Sequence, residues 1–318
     1  MGSTVDWSSP GAIATTLLDG NPIAILITLA VALLLPTLLH YSLYRKAANP
    51  ASSSFILLGP SGAGKTSFLT SLESASQRAK TATPRTHTSQ NPASTTIVLH
   101  PSVPIASNRY RSVNDPSLSE AKRNPVKYIL RDTPGHGKLR SSQLSQLQND
   151  LSSKEKSPIR GLIYFVDAAL LADGAENLRD SAGYLHDVLL LLQKLVLSKN
   201  KSLSKAGASI SVLIAANKQD LFTALPAGSI KERLELEIDR IRKSRQKGLM
   251  DASAGSLDNE DDEDLLGGDD GQGTFSFRLL ENEIGTKVDV IGGSILSEEG
   301  QDPKSGVRAW EEWIGSCL

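Results

Sequence analysis

Gly59-Pro60-Ser61-Gly62-Ala63-Gly64-Lys65-Thr66 is a complete match to G-x-x-x-x-G-K-[ST], and its flanks decide the fold. The apolar run Phe55-Ile56-Leu57-Leu58 precedes it, and a helix-compatible stretch, 65–78, follows. Strand, loop, helix is the context this pattern needs; a chance match in a Gly/Ser-rich loop would lack both flanks. The glycines let successive backbone N–H groups point at phosphate oxygens, and the helix N-terminus adds its partial positive charge. Lys65 is placed to reach β- and γ-phosphates, and the Thr66 hydroxyl to ligate Mg²⁺. Ser67 completes the candidate loop.

Working outward, apolar runs recur at Phe55–Leu58, Ile97–Leu99, Val126–Leu130, Leu162–Val166, Ile210–Ala216 and Val288–Ile291. Helix-compatible stretches fall near 65–78, 177–198, 230–247 and 306–315. Continuous apolar strands alternating with helices indicate an α/β fold: a mostly parallel, doubly wound sheet covered on both faces. Stretches 79–96, 106–125 and 251–273 read as loops, the last as an acidic disordered insertion.

Two further motifs sit at strand ends. Asp132-Thr133-Pro134-Gly135-His136 follows Val126–Leu130. A strand-end Asp132 can hold Mg²⁺ through water, Gly135 can offer its N–H to a γ-phosphate, and His136 stands where a residue could orient an attacking water. Asn217-Lys218-Gln219-Asp220 follows the fifth run. The Asp220 carboxylate can accept from guanine N1–H and N2–H₂, a donor pair that adenine lacks, and the Lys218 stem can lie along the base plane. Each short pattern is weak alone; in this order behind the phosphate loop, they point to GTP with Mg²⁺ and disfavour an ATP-using kinase or transporter.

The chain has 318 residues and a net charge of -1, with 39% hydrophobic and 22% charged side chains, which is enough for a core and excludes wholesale disorder. Its one cysteine, Cys317, excludes a disulfide framework and a Cys-based zinc site. Residues 251–270 hold nine acidic and no basic side chains, so the remainder of the chain carries +8. Such a basic body suits work beside an anionic membrane face. The acidic run reads as a solvated insertion or as a contact for a basic partner.

Residues 23–44 contain no Lys, Arg, Asp or Glu. As a helix they would extend about 33 Å, enough to cross a bilayer core. Pro36 is tolerable there, and Tyr41 and Tyr44 suit an interface. Arg45 and Lys46 follow, whereas the preceding segment has only Asp6 and Asp19 as charges, so the positive-inside rule puts residues 45–318 in the cytosol. A cleaved signal peptide would have a basic start and a shorter run, and a buried core helix is the other alternative. The expected layout is a lumenal tail (1–22), one transmembrane helix (23–44), a linker (45–54) and a cytosolic domain (55–318).

The ordered set GPSGAGKT, DTPGH and NKQD resembles the small GTPases of Ras/Arf type. With the N-terminal anchor and the stretch Asp132-Thr133-Pro134-Gly135-His136-Gly137-Lys138-Leu139-Arg140, the chain is more closely similar to the β-subunit family of the signal recognition particle receptor, over roughly residues 22–318. The resemblance implies a single-pass endoplasmic reticulum protein that holds a receptor α subunit and serves ribosome–nascent chain targeting indirectly, with no direct nucleic-acid contact. It also implies a switch segment, best matched by Thr86-His87-Thr88-Ser89, with Thr88 as the Mg²⁺ ligand and Thr95 and Thr96 as competitors. A last guanine contact is implied at Ser294-Ile295, where Ile295 replaces the usual small residue but still offers its N–H. Turnover is expected to be slow and partner-dependent, because no cis arginine finger is evident. A membrane-anchored Arf-like trafficking GTPase and a non-hydrolysing GTP-bound scaffold remain as alternatives.

Trp310 and Trp313 are spaced to form a packing face on the last helix. His40 reads as interfacial, and His100 and His186 lack metal-ligand spacing. The sequon at Asn200 would go unused on the cytosolic side.

Overall fold

A computed structural model describes residues 26, 29–38, 53–76, 86, 89–105, 125–152, 159–200, 210–253, 266–267, 273–296 and 305–318. The chain divides into two compact units, Met1–Pro50 and Ala51–Leu318.

In the first unit, residues 26 and 29–38 are helical. Leu26, Leu29, Leu33, Leu34, Leu35 and Leu38 are all exposed there. The rest of the expected span lies outside the described residues. Among those described, no helix is long and apolar enough to cross a membrane.

The second unit is built on six strands: β1 (Ser54–Leu58), β2 (Ala93–Val98), β3 (Lys127–Asp132), β4 (Ile159–Asp167), β5 (Ser211–Asn217) and β6 (Val288–Gly292). Their order is β2-β3-β1-β4-β5-β6, with β2 antiparallel to β3 and every other pair parallel. The chain runs one way from β1 to fill β3 and β2, then returns to β4 on the other side. The carboxyl end of β1 is thus a point where strand order reverses, the place where open α/β sheets bind ligands.

Alternation along the strands sorts the core into two layers. Ile56, Leu58, Leu162, Tyr164, Val166, Val212, Ile214 and Ala216 face one layer. It is covered by α2 (Arg140–Ser152), α3 (Leu170–Asp173), α4 (Ala175–Asn200), α5 (Ala227–Ser253) and α6 (Phe277–Ile284). Phe55, Leu57, Ile163, Phe165, Leu213 and Ala215 face the other, covered by α1 (Lys65–Ser76) and α7 (Ser305–Cys317).

The expected strands and long helices are present. Helices α2, α3 and α6 were not read from the sequence. Helix α2 is RSSQLSQLQNDLS, which offers Leu147 and Leu151 to the core on an otherwise polar background. A short 3₁₀ turn, Gly137–Leu139, leads into it. Strand β2 starts inside the stretch read as loop 79–96: Thr95 and Thr96 pair with Leu130 and Ile129.

The acidic stretch 251–273 is not solvated throughout. Asp251–Ser253 continue α5. Leu266 is fully buried. The Gly267 N–H donates to Gln193 Oε1 at 2.8 Å, and the buried Arg242 guanidinium donates to the Gly267 and Gly273 carbonyls. The rest of this stretch lies outside the described residues.

Trp310 is fully buried, its ring edge-on to Phe68 and Phe165 and its indole N–H donating to Ile291 O at 3.0 Å. Trp313 lies edge-on to Phe55 and donates to Asp289 Oδ2. The two tryptophans therefore form the packing face that their spacing suggests. Trp310→Ala is expected to cost about 3–5 kcal/mol in urea unfolding, because it leaves a cavity and an unpaired carbonyl. A loss below about 1 kcal/mol would contradict this packing.

Candidate functional site

The phosphate loop leaves β1 and enters α1 through three residues in the left-handed region: Gly59, Gly62 and Gly64, with φ of 128°, 79° and 105°. Gly64 is also needed for space, since a Cβ there would lie 2.2 Å from Asn217 Nδ2. Pro60, Ser61 and Ala63 complete the turn, and the Gly64 carbonyl starts the α1 ladder by accepting the Phe68 N–H.

Lys65 is buried, and its ammonium donates to the carbonyls of Gly59 and Pro60, both at 2.8 Å. Burial lowers its pKa to about 8; Asp132 opposes that shift and Arg140 adds to it.

Thr66 and Asp132 meet where the metal is expected. The Thr66 hydroxyl donates to Asp132 Oδ2 at 2.6 Å. Asp132 Oδ1 is buried and has no hydrogen-bond partner among the described residues. Burial raises the Asp132 pKa, while Thr66, Lys65 and the Thr133 backbone oppose the rise. A hydroxyl beside a carboxylate with one unspent buried oxygen is a donor set that suits Mg²⁺ and its waters. Among the described residues, no cluster of three His, Cys, Asp or Glu side chains could hold an ion unaided.

The loop after β3 lies against the phosphate loop. Thr133 donates to Leu57 O at 2.6 Å, tying that loop to β1. A Cβ on Gly135 would come 2.5 Å from Lys65 Nζ and 2.7 Å from Gly59 O, so only a glycine passes here without displacing one of them. His136 is exposed, and its Nδ1 accepts the Lys138 N–H at 3.2 Å, capping the 3₁₀ turn. Arg140 ends the segment with a two-pronged bond to Asp180 of α4, at 2.7 and 2.6 Å, and lies 4.9 Å over the Tyr184 ring.

Of the switch residues, Thr86 shares a 2.9 Å hydrogen bond with Ser67 and so reaches the first turn of α1. His87 and Thr88 lie outside the described residues. The Ser89 hydroxyl turns to Asn91 O. Thr95 and Thr96, on the edge strand, are not brought to the loop.

The end of the site expected to read a base is assembled from three loops. Asn217 is buried; its Nδ2 donates to Ala63 O at 2.8 Å, and its Oδ1 accepts the Ile295 N–H at 3.3 Å. The Ser294 hydroxyl donates to Asp220 Oδ1 at 2.5 Å. The Ile295 side chain packs into the core layer beside Gly64, which is how a large residue fits there. Lys218 pairs with Asp167 at the end of β4. Sequence reasoning passed over Asp167; its position at the end of an apolar run, like Asp132, was the available signal.

Comparison with known proteins identifies the family. A family model described as "Signal recognition particle receptor beta subunit" matches residues 50–284. The chain belongs to that family. It is 29% identical over 265 residues to the signal recognition particle receptor subunit beta of Saccharomyces cerevisiae, covering 83% of this chain and 84% of that one. It is 35% identical to the structure titled "Signal recognition particle receptor SRb-GTP/SRX complex from Chaetomium thermophilum", with a TM-score of 0.62, over 83% of this chain and 100% of that one. A second Chaetomium thermophilum structure, titled SRb-GDP-Mg, is also 35% identical, with a TM-score of 0.56 and coverage of 84% and 100%. The family thus includes members solved with GTP and with GDP and Mg.

Lys65 gives a pH test. Above pH 8 its ammonium is lost in the free protein, whereas bound phosphates would hold the proton, so affinity should fall as pH rises through 8. Binding of a nucleoside diphosphate at about pH 8 is expected to take up roughly half a proton, read by calorimetry in buffers of different ionisation enthalpy. No proton uptake there would contradict the buried-lysine geometry.

Proposed function

We propose that this chain is the GTP-binding, membrane-anchored subunit of a signal recognition particle receptor, holding the α subunit at the endoplasmic reticulum for co-translational targeting. The observation that carries the nucleotide part is the meeting of three sequence-distant loops, through Asn217 to Ala63 and Ile295, at the carboxyl ends of β1 and β5. Bound GTP would lie with its phosphates over Gly59–Ser67 and its base against Asn217, Lys218, Asp220, Ser294 and Ile295.

Mg²⁺ would be held by Thr66 and, through water, by Asp132, with Thr88 from the switch segment. When bound, the ion would supply positive charge beside the phosphates. Gly135 would present its N–H to the γ-phosphate. Loss of that phosphate releases the loops around 86–96 and 132–140, which is how the site would signal its state to a partner. The Ser67–Thr86 bond and the Gly135 contact support this, since both switch segments already touch the phosphate loop.

Turnover by the isolated chain is slow in this reading. His136 Nδ1 is spent on capping, and Arg140 is held by Asp180. Water positioning by His136 requires the loop to move, and a partner would supply the missing charge. The membrane part rests on the uncharged segment 23–44 and on its exposed leucines. The partner is the receptor α subunit; targeting of ribosome–nascent chain complexes follows indirectly, without nucleic-acid contact by this chain.

The test uses the full-length chain in lipid nanodiscs with Mg²⁺, loaded with GTP or GDP and mixed with the N-terminal domain of the receptor α subunit. Binding in the GTP state and its loss with GDP is expected. Absence of binding in both states, with nucleotide occupancy verified, would overturn the receptor role and leave a membrane-anchored Arf-like GTPase.

A further inference from the structure

We propose that Asp167 is a positioning residue for the base end of the site, acting by holding Lys218. The inference rests on the guanine-nucleotide reading above and extends it to a residue outside the three motifs.

Asp167 ends β4 and is 6% exposed. A carboxylate so enclosed must be paired or hydrogen-bonded. Its two oxygens are used separately. Oδ1 accepts the N–H groups of Ala169 and Leu170, both at 3.1 Å, and so shapes the turn into α3. Oδ2 accepts Lys218 Nζ. The local turn thus needs one oxygen, and the other is committed to the lysine of the base-reading motif.

The backbone brings the two residues together. Asp167 and Asn217 are register partners across the parallel β4–β5 pair, so Lys218 leaves β5 just past the end of β4. Lys218 has φ 65°, the positive-φ non-glycine among the described residues. A long side chain persists in that region when its surroundings over-determine it. The ladder continues past the strand ends, with Ala168 N–H donating to Asn217 O at 3.0 Å. With its ammonium fixed on Asp167, the lysine stem loses its freedom to swing, and a pre-placed stem costs less to order when a base lies along it. Lys218 remains 36% exposed at its side chain, so the stem is held without being sealed in the core.

Two carboxylates thus divide the work. Asp220, steadied by Ser294, reads the base edge, while Asp167 holds the residue that covers the base face. Face coverage does not distinguish guanine from hypoxanthine, so loss of Asp167 should affect both alike.

Release of GDP and of inosine diphosphate is measured by stopped flow on the full-length chain in detergent micelles with Mg²⁺. The proteins are wild type, Asp167→Asn, Lys218→Ala and the double variant. Asparagine keeps an oxygen for the Ala169 and Leu170 N–H groups but loses the charge for Lys218. Asp167→Asn is expected to release both nucleotides about tenfold faster, and to add nothing in the Lys218→Ala background. A purely structural role would instead accelerate release equally in both backgrounds. Lys218→Ala leaves the turn contacts of Asp167 in place and must show similar acceleration; unchanged release there overturns the proposal even if Asp167→Asn does not fold. Failure of the wild type to bind GDP would instead remove the nucleotide reading on which the proposal rests.

Discussion

The Asn217 side chain is the joint on which the site depends. One end of its amide donates to Ala63 in the phosphate loop, and the other accepts from Ile295 beyond β6. Both groups are dry, since Asn217 is 3% exposed. Losing either bond would strand a buried polar group, which costs more than the bond itself returns. Three loops that are far apart in sequence are thereby held in one arrangement. Gly64 follows from the same contact, because any side chain there would occupy the amide's place.

Much of the architecture was legible from residues. Each apolar run fell on a strand; β1, β4 and β5, covered on both faces, are apolar nearly throughout and need no alternation to be seen. Helices α2 and α6 escaped for opposite reasons. Helix α2 is mostly Ser, Gln and Asn, and α6 is only eight residues, read in sequence beside an acidic run. Strand β2 was shortened because Ala93-Ser94-Thr95-Thr96 looks like loop; on a sheet edge, half-solvated Ser and Thr are acceptable. Leu266 shows the limit of composition. Leu266 is buried, and Arg242 grips the Gly267 and Gly273 carbonyls, at positions whose acidic sequence surroundings say solvent.

Within the site, residue types announced the phosphate loop, the Asp132 end and the base-reading motif, because each needs a particular group at a particular strand end. A shared Mg²⁺ role already placed Thr66 near Asp132. Other connections were not legible: nothing local says that Thr86 will meet Ser67 or that Lys218 will be held by Asp167. Those pairings come from strand order, which brings β3, β1, β4 and β5 to one edge. His136 shows the converse: its place in the motif suggested water chemistry, while its ring nitrogen caps a turn.

We propose this edge as a site for a guanine nucleotide. Equilibrium binding of GTP and of ATP to the full-length chain with Mg²⁺ tests it most directly. Both nucleotides carry the same phosphates, so a difference would report on the base end, at Asn217, Lys218, Asp220, Ser294 and Ile295. GTP is expected to be preferred by roughly a thousandfold or more, since adenine leaves the Asp220 carboxylate without its donor pair. Equal affinity for the two would contradict it.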